Sequence, residues 1–206
     1  MLDRKGFDLW AEDYDRTVDV SEEAEEYPFA RYKAVLGGIY STVRQSEGKR
    51  VLDIGCGTGV LTKRLYDDGY EIFGVDFSEK MIQTARAKMP TARLIKHDFG
   101  LGLPKELDGE SFDCVICTYA LHHLAEREKI GFINELLRRL TPRGKLLIGD
   151  IAFETAMELE ECRKKAGDQW DYEEIYAVAE ELKVVFPELK FEKISFCAGI
   201  FTFENR

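Results

Sequence analysis

Residues 51–59 run Val-Leu-Asp-Ile-Gly-Cys-Gly-Thr-Gly, a short apolar segment that passes directly into three glycines at alternate positions. Few local patterns restrict the fold as strongly. A continuous apolar run of this length suits a strand covered on both faces, which is the habit of parallel sheets in α/β domains. The glycines that follow permit φ values other residues avoid and let backbone N–H groups approach a ligand closely. In open α/β sheets, ligands bind beyond the carboxyl ends of such strands, where the next helix adds unpaired donors and a partial positive charge. A P-loop is excluded, because no Lys-Ser/Thr pair follows the glycines. The dinucleotide fingerprint is matched only in part: counted from Gly55, its last small position falls on Val60, and Gly59 carries the glycine instead. Asp76 closes a second apolar run, Ile72-Phe73-Gly74-Val75, 21 positions after Gly55. A carboxylate there can accept both hydroxyls of a ribose, as an adenosine-containing cofactor requires, or it can cap the following helix, a task Ser78 can also perform.

The remainder of the chain repeats the alternation. Cys114-Val115-Ile116-Cys117 and Leu146-Leu147-Ile148 are further strand-like runs, separated by segments long enough for helical crossovers. Ile130, Ile133, Leu136, Leu137 and Leu140 recur at helical spacing, and Thr141-Pro142-Arg143-Gly144 reads as a stop before the next strand. Residues 189–196 and 200–203 are separated by only Cys197-Ala198-Gly199, too short for a crossover, so they are expected to pair as an antiparallel hairpin. Before the first strand, Phe7, Trp10 and Tyr14 share one helical face, and a second helix is expected from about Phe29 to Val43. The expectation is an α/β, doubly wound sheet finished by an antiparallel strand. It forms one domain over 1–206, with 1–45 as a helical cap and 46–206 as the cofactor-binding core.

A chain of 206 residues is long enough for a full core without staples. Its formal net charge of −10 argues against broad docking on nucleic acid. The excess is local: residues 8–26 hold nine carboxylates and one Arg, a solvated face or a steering element for a cationic acceptor. No stretch approaches the ~18 apolar residues of a membrane span and no signal-peptide core is evident, so a cytoplasmic protein is expected. Five cysteines, an odd number, read as reduced thiols. Cys114 and Cys117 form a C-x-x-C, but on a strand they point to opposite faces, which favours buried thiols over a zinc or redox site.

With these residues in hand, the chain resembles the class I S-adenosylmethionine-dependent methyltransferases, and more narrowly the small bacterial methyltransferases of the YrrT type. The broader resemblance is carried by residues 51–59, Asp76, His97-Asp98-Phe99, the stretch Phe112 to Leu124, and residues 136–150, and the narrower one by residues 7–18, 119–124 and 148–153. It implies a Rossmann-like sheet of order 3-2-1-4-5-7-6 with the last strand antiparallel. It also implies S-adenosyl-L-methionine as cofactor and S-adenosyl-L-homocysteine as product. Carried over to this chain, Gly55, Cys56 and Gly57 would line the methionine and ribose portion, and Asp76 would hold the ribose. Phe77 would pack on adenine, Asp98 would accept from its amine, Phe99 would donate a backbone N–H, and Thr118 would contact the amino-acid end.

Methyl transfer from a sulfonium demands alignment of the acceptor above all, with a base needed only where the acceptor is protonated. His122 and His123 are candidate bases directly after the fourth strand, of which at most one is expected to face the acceptor, since adjacent residues diverge. Tyr14 is a third candidate: its hydroxyl could reach the methionine carboxylate and its ring could face the sulfonium. Arg31 could neutralise the same carboxylate but is not counted among the expected site residues. No metal site is expected, because two neighbouring histidines and the distant His97 lack ligand spacing. Residues 118–121 read Thr-Tyr-Ala-Leu, without the Pro-Pro motif of adenine or glutamine methyltransferases or the Pro-Cys of cytosine enzymes. A small-molecule acceptor is therefore expected, with neither nucleic acid nor membrane as partner; oligomeric state leaves no sequence signal. Two alternatives remain at this point: an NAD(P)-dependent oxidoreductase and a non-catalytic S-adenosylmethionine-binding protein.

Overall fold

A computed structural model describes residues 26–205. Its sheet is built as the apolar runs dictate. The first strand, β1 (Arg50–Ile54), lies between β2 (Glu71–Asp76) and β4 (Phe112–Thr118), parallel to both, and β3 (Arg93–Lys96) extends the sheet beyond β2. On the other side β5 (Leu140–Phe153) pairs parallel with β4, and the hairpin of β7 (Lys190–Lys193) and β8 (Ala198–Glu204) joins antiparallel through β8. The resulting order, β3-β2-β1-β4-β5-β8-β7, is the expected one. One addition is β6 (Ala177–Val178), two residues that pair parallel with Ala152 and Phe153 at the end of β5.

Side chains alternate across the strands, so the sheet has two apolar faces. One face carries Cys114, Ile116 and Leu147 beneath the helix α1 (Tyr32–Arg44), whose Val35, Ile39 and Val43 are fully buried against it, and beneath α2 (Val60–Asp67). The opposite face carries Val115, Cys117, Leu146 and Ile148 under α4 (Glu126–Leu137) and α6 (Ala179–Val185). Cys114 and Cys117 therefore sit on different faces, and all five cysteines are free and buried. The helix α3 (Glu79–Lys88) covers the β2–β3 end, and α5 (Ala156–Ala166) follows β5.

Two local expectations differ from the structure. The helix α4 ends at Leu137, and Leu140 already pairs with Phe112 in the sheet; Thr141-Pro142-Arg143-Gly144 forms a bulge inside β5, with pairing resuming at Lys145. The turn residues were read correctly as a break, but Asn205 bridges it: its side-chain amide donates to the Leu140 and Thr141 carbonyls, and its backbone carbonyl accepts from Arg143. At the hairpin, Ala198 and Gly199 belong to β8 and pair with Ile151 and Asp150, so the turn lies one step earlier, around Ser195 and Cys197. The expected first helix, with Trp10 and Tyr14, lies outside the described residues. No helix among the described residues is long and apolar enough to cross a membrane.

Candidate active site

Beyond the carboxyl ends of β1, β2 and β4 lies a cavity of about 390 Å³. Its floor is the glycine turn. Gly55, Gly57 and Gly59 all have positive φ, of 70°, 52° and 80°. At Gly55 a side chain is doubly barred, because a Cβ would also stand 2.5 Å from that of Ala120. Gly59 occupies the N-cap of α2 and offers no side chain to its first N–H groups.

Asp76 ties the turn to the neighbouring strand. Its Oδ2 accepts from the Gly57 N–H at 2.9 Å and its Oδ1 from the Ser78 N–H at 2.9 Å. Ser78 is the residue that caps α3, its hydroxyl accepting from the Met81 N–H. Asp76 also lines the cavity.

Cys56, Phe77, Phe99 and Thr118 line the same cavity with Gly55 and Gly57. Phe99 stacks on Phe132, ring centroids 5.6 Å apart. Asp98 is placed differently: its Oδ1 accepts from the Gly100 N–H at the start of a 3-10 turn, and it is not among the cavity-lining residues. Arg31 is exposed, in a left-handed conformation ahead of α1, and also lies off the lining. Tyr14 lies outside the described residues.

Asp53 is a lining residue that sequence reasoning passed over, although a lone carboxylate inside an apolar strand is a signal. It is 1% exposed; its Oδ2 accepts from the Thr62 hydroxyl, and its Oδ1 has no hydrogen-bond partner among the described residues. Burial pushes its pKa up to about 7, against a smaller opposing effect of the Thr62 hydrogen bond.

The opposite wall is built around His122. After β4 the chain turns sharply through Tyr119, a non-glycine residue at φ 50°, and enters the 3-10 turn Leu121–His123. Asp150, embedded in the apolar end of β5, accepts from the His122 backbone N–H at 3.1 Å, from its own neighbour Ile151 at 2.8 Å, and meets His122 Nδ1 at 2.5 Å. His122 Nε2 faces Glu174 Oε1 at 3.5 Å. Burial alone would lower the His122 pKa, but the Asp150 charge and hydrogen bond, reinforced by Glu174, hold it above the ordinary value. His123 is pushed the other way, to about 3, by burial and then by the charge of His122. The turn brings both rings together, their centroids 4.2 Å apart at 64°, and both line the cavity; the expected divergence of neighbours does not hold across a 3-10 turn.

Glu174 arrives on a strap, residues 167–176, that folds back over the strand ends. Three contacts fix it. Its continuation is β6, the Ile175 N–H donates to the His122 carbonyl at 3.0 Å, and Trp170 stacks on Tyr27 with centroids 5.2 Å apart. Tyr176 donates to Glu174 Oε2 at 2.8 Å and shares a short hydrogen bond with Tyr27. Asp171 and Glu173 add two more carboxylates to the lining.

The comparisons with known proteins agree with this geometry. A family model described as a methyltransferase domain matches residues 51–144, from β1 into the bulge of β5. An uncharacterized methyltransferase of Alkaliphilus oremlandii is 31% identical over 182 residues, covering 88% of this chain and 81% of that one. The uncharacterized methyltransferase YrrT of Bacillus subtilis is 32% identical over 188 residues, covering 87% and 85%. In fold, the chain superposes on the magnesium protoporphyrin IX methyltransferase of Synechocystis PCC 6803, solved with bound SAH, with a TM-score of 0.66 and 20% identity over 85% of this chain and 84% of that one. Identity above 30% along more than four fifths of the length of such relatives marks this chain as a member of the methyltransferase family.

Proposed function

We propose that the protein is an S-adenosylmethionine-dependent methyltransferase acting on a small-molecule acceptor. The observation that carries the reading is the convergence of two chemically different walls on one cavity: a glycine cradle with Asp76 on one side, and an imidazole and carboxylate group on the other. The cradle suits the cofactor, since side-chain-free backbone beside a carboxylate is what a ribosyl group needs. Gly55, Cys56 and Gly57 would line its methionine and ribose portion, Asp76 its diol, Phe77 and Phe99 its adenine, and Thr118 its amino-acid end. When bound, the cofactor supplies a methyl group already activated on a sulfonium.

The chain itself must then exclude water, orient the acceptor and accept its proton. Bringing the acceptor into a near-attack arrangement is worth up to ~7–11 kcal/mol. His122 and His123 both line the wall that the acceptor would face, and His122, locked by Asp150, orients it. Tyr14 completes the proposed set from outside the described residues. Calorimetric titration with S-adenosylmethionine and S-adenosylhomocysteine tests the reading: saturable binding of both is expected, and a folded protein that binds neither at millimolar ligand overturns it.

A further inference from the structure

We propose that His122, His123 and Glu174 bind a transition-metal dication on the acceptor side of the cavity, and that its open positions hold an acceptor through oxygen donors. The acceptor clause rests on the methyltransferase reading above; the cation site does not.

One ligand atom from each of the three residues lies within 4.8 Å of the others. A tetrahedral zinc site with bonds near ~2.1 Å separates its ligand atoms by about 3.3 Å, so modest side-chain rotation closes the set. His122 is already arranged as a ligand. Its Nδ1 is held by Asp150 at 2.5 Å, which leaves Nε2 as the ligating nitrogen, and Nε2 faces Glu174 Oε1 at 3.5 Å. A histidine whose second nitrogen is held by a carboxylate is the usual outer-shell arrangement of metal-bound imidazole. Glu174 is oriented in the same manner, since its other oxygen accepts from Tyr176, itself bonded to Tyr27.

Two imidazoles and one carboxylate suit Zn²⁺, Fe²⁺ or Mn²⁺ and leave positions open, whereas Ca²⁺ and Mg²⁺ prefer all-oxygen sets. Asp171 and Glu173, on the same lining, add negative potential that favours a cation there. Adjacent histidines give no ligand signal in a sequence; the 3-10 turn and the strap create the site by bringing together residues about fifty positions apart.

The test uses the untagged full chain and Co²⁺ or Zn²⁺ alone, without the methyl donor. One Co²⁺ per chain is expected, with visible d–d absorption that Zn²⁺ abolishes by displacement. Glu174→Gln and His123→Asn should each weaken Co²⁺ binding at least about tenfold while retaining the thermal midpoint. In the unaltered chain, proton NMR should show paramagnetic shifts at His122 and His123 but not at His97, a readout that does not depend on any variant folding. Absence of stoichiometric uptake, unchanged affinity in both variants, or shifts at His97 alone overturns the proposal. A separate titration with S-adenosylmethionine keeps the two readings apart. Donor binding without metal uptake removes the cation site and leaves the methyltransferase reading; metal uptake without donor binding leaves the cation site and removes its acceptor.

Discussion

Asp76 and Gly57, 19 positions apart, are joined by a 2.9 Å hydrogen bond from the glycine N–H to the carboxylate, which fastens the turn after β1 to the end of β2. The same carboxylate lines the cavity. Asp76→Ala should therefore weaken S-adenosylmethionine by about 1.5–3 kcal/mol through loss of a charged hydrogen bond, and loosen the turn as well. Calorimetry on the variant checks the first effect; an unchanged dissociation constant would place the ribose elsewhere.

The glycines of the turn should differ in their tolerance of a methyl group. A Cβ at Gly55 meets that of Ala120 at 2.5 Å, whereas one at Gly57 meets nothing within 4 Å. Both positions have positive φ and incur roughly 1–2 kcal/mol of backbone strain on substitution. Gly55→Ala adds overpacking of about 1–3 kcal/mol, so it should be the less stable variant in urea unfolding. The reverse order would contradict the turn geometry.

The buried carboxylate of Asp53 makes stability depend on pH. Its folded pKa, about 7, is above the ordinary 3.8, so between these values the native state keeps a proton that the unfolded chain has lost. Stability from this group is thus lost as pH rises from about 4 to 7, by up to about 4 kcal/mol. Denaturant curves across that range, compared with Asp53→Asn, should show the variant gaining relative stability as pH rises; parallel profiles would rule this out.

Asp150 accepts three hydrogen bonds at 1% exposure, two of them from His122. Asp150→Ala strands these donors, and the cost should be about 3–5 kcal/mol of unfolding free energy, with Asp150→Asn milder because one acceptor oxygen remains. Equal stability of the two variants would mean that His122 is held by something other than this carboxylate.

The glycine turn and its acidic partner were legible in the sequence because their determinants are local. Residues 51–59 form strand, turn and helix start within one short segment, and Asp76 ends a neighbouring apolar run, so period and glycine spacing suffice to place them together. The terminal hairpin was legible for the same reason. The other wall was not. Residues 167–176 have neither strand nor helix periodicity, and their place is set by contacts from far along the chain: Trp170 on Tyr27, Ile175 on the His122 carbonyl, β6 on β5. Glu174 reads as one more acid in an acidic stretch until that docking occurs. Asp150, alone in an apolar strand, left a trace comparable to that of Asp53. The bulge at 141–144 shows a related limit, since turn residues announce a break in hydrogen bonding but not whether the strand resumes beyond it.

The strap also separates two kinds of inheritance. The glycine turn, Asp76 and the two histidines fall within residues 51–144, the stretch this chain shares with a general family pattern, while Glu174 is borne on a later loop held by β6 at one end and by Tyr27 through Trp170 and Tyr176. Exchanging that loop also exchanges Trp170 and Tyr176, which are buried against Tyr27 and Phe153 at the end of β5. On the proposed function, selectivity for the molecule receiving the methyl group would be tied to this part of the core, and a graft of residues 167–176 meant to transfer a preference would have to bring Tyr27 with it.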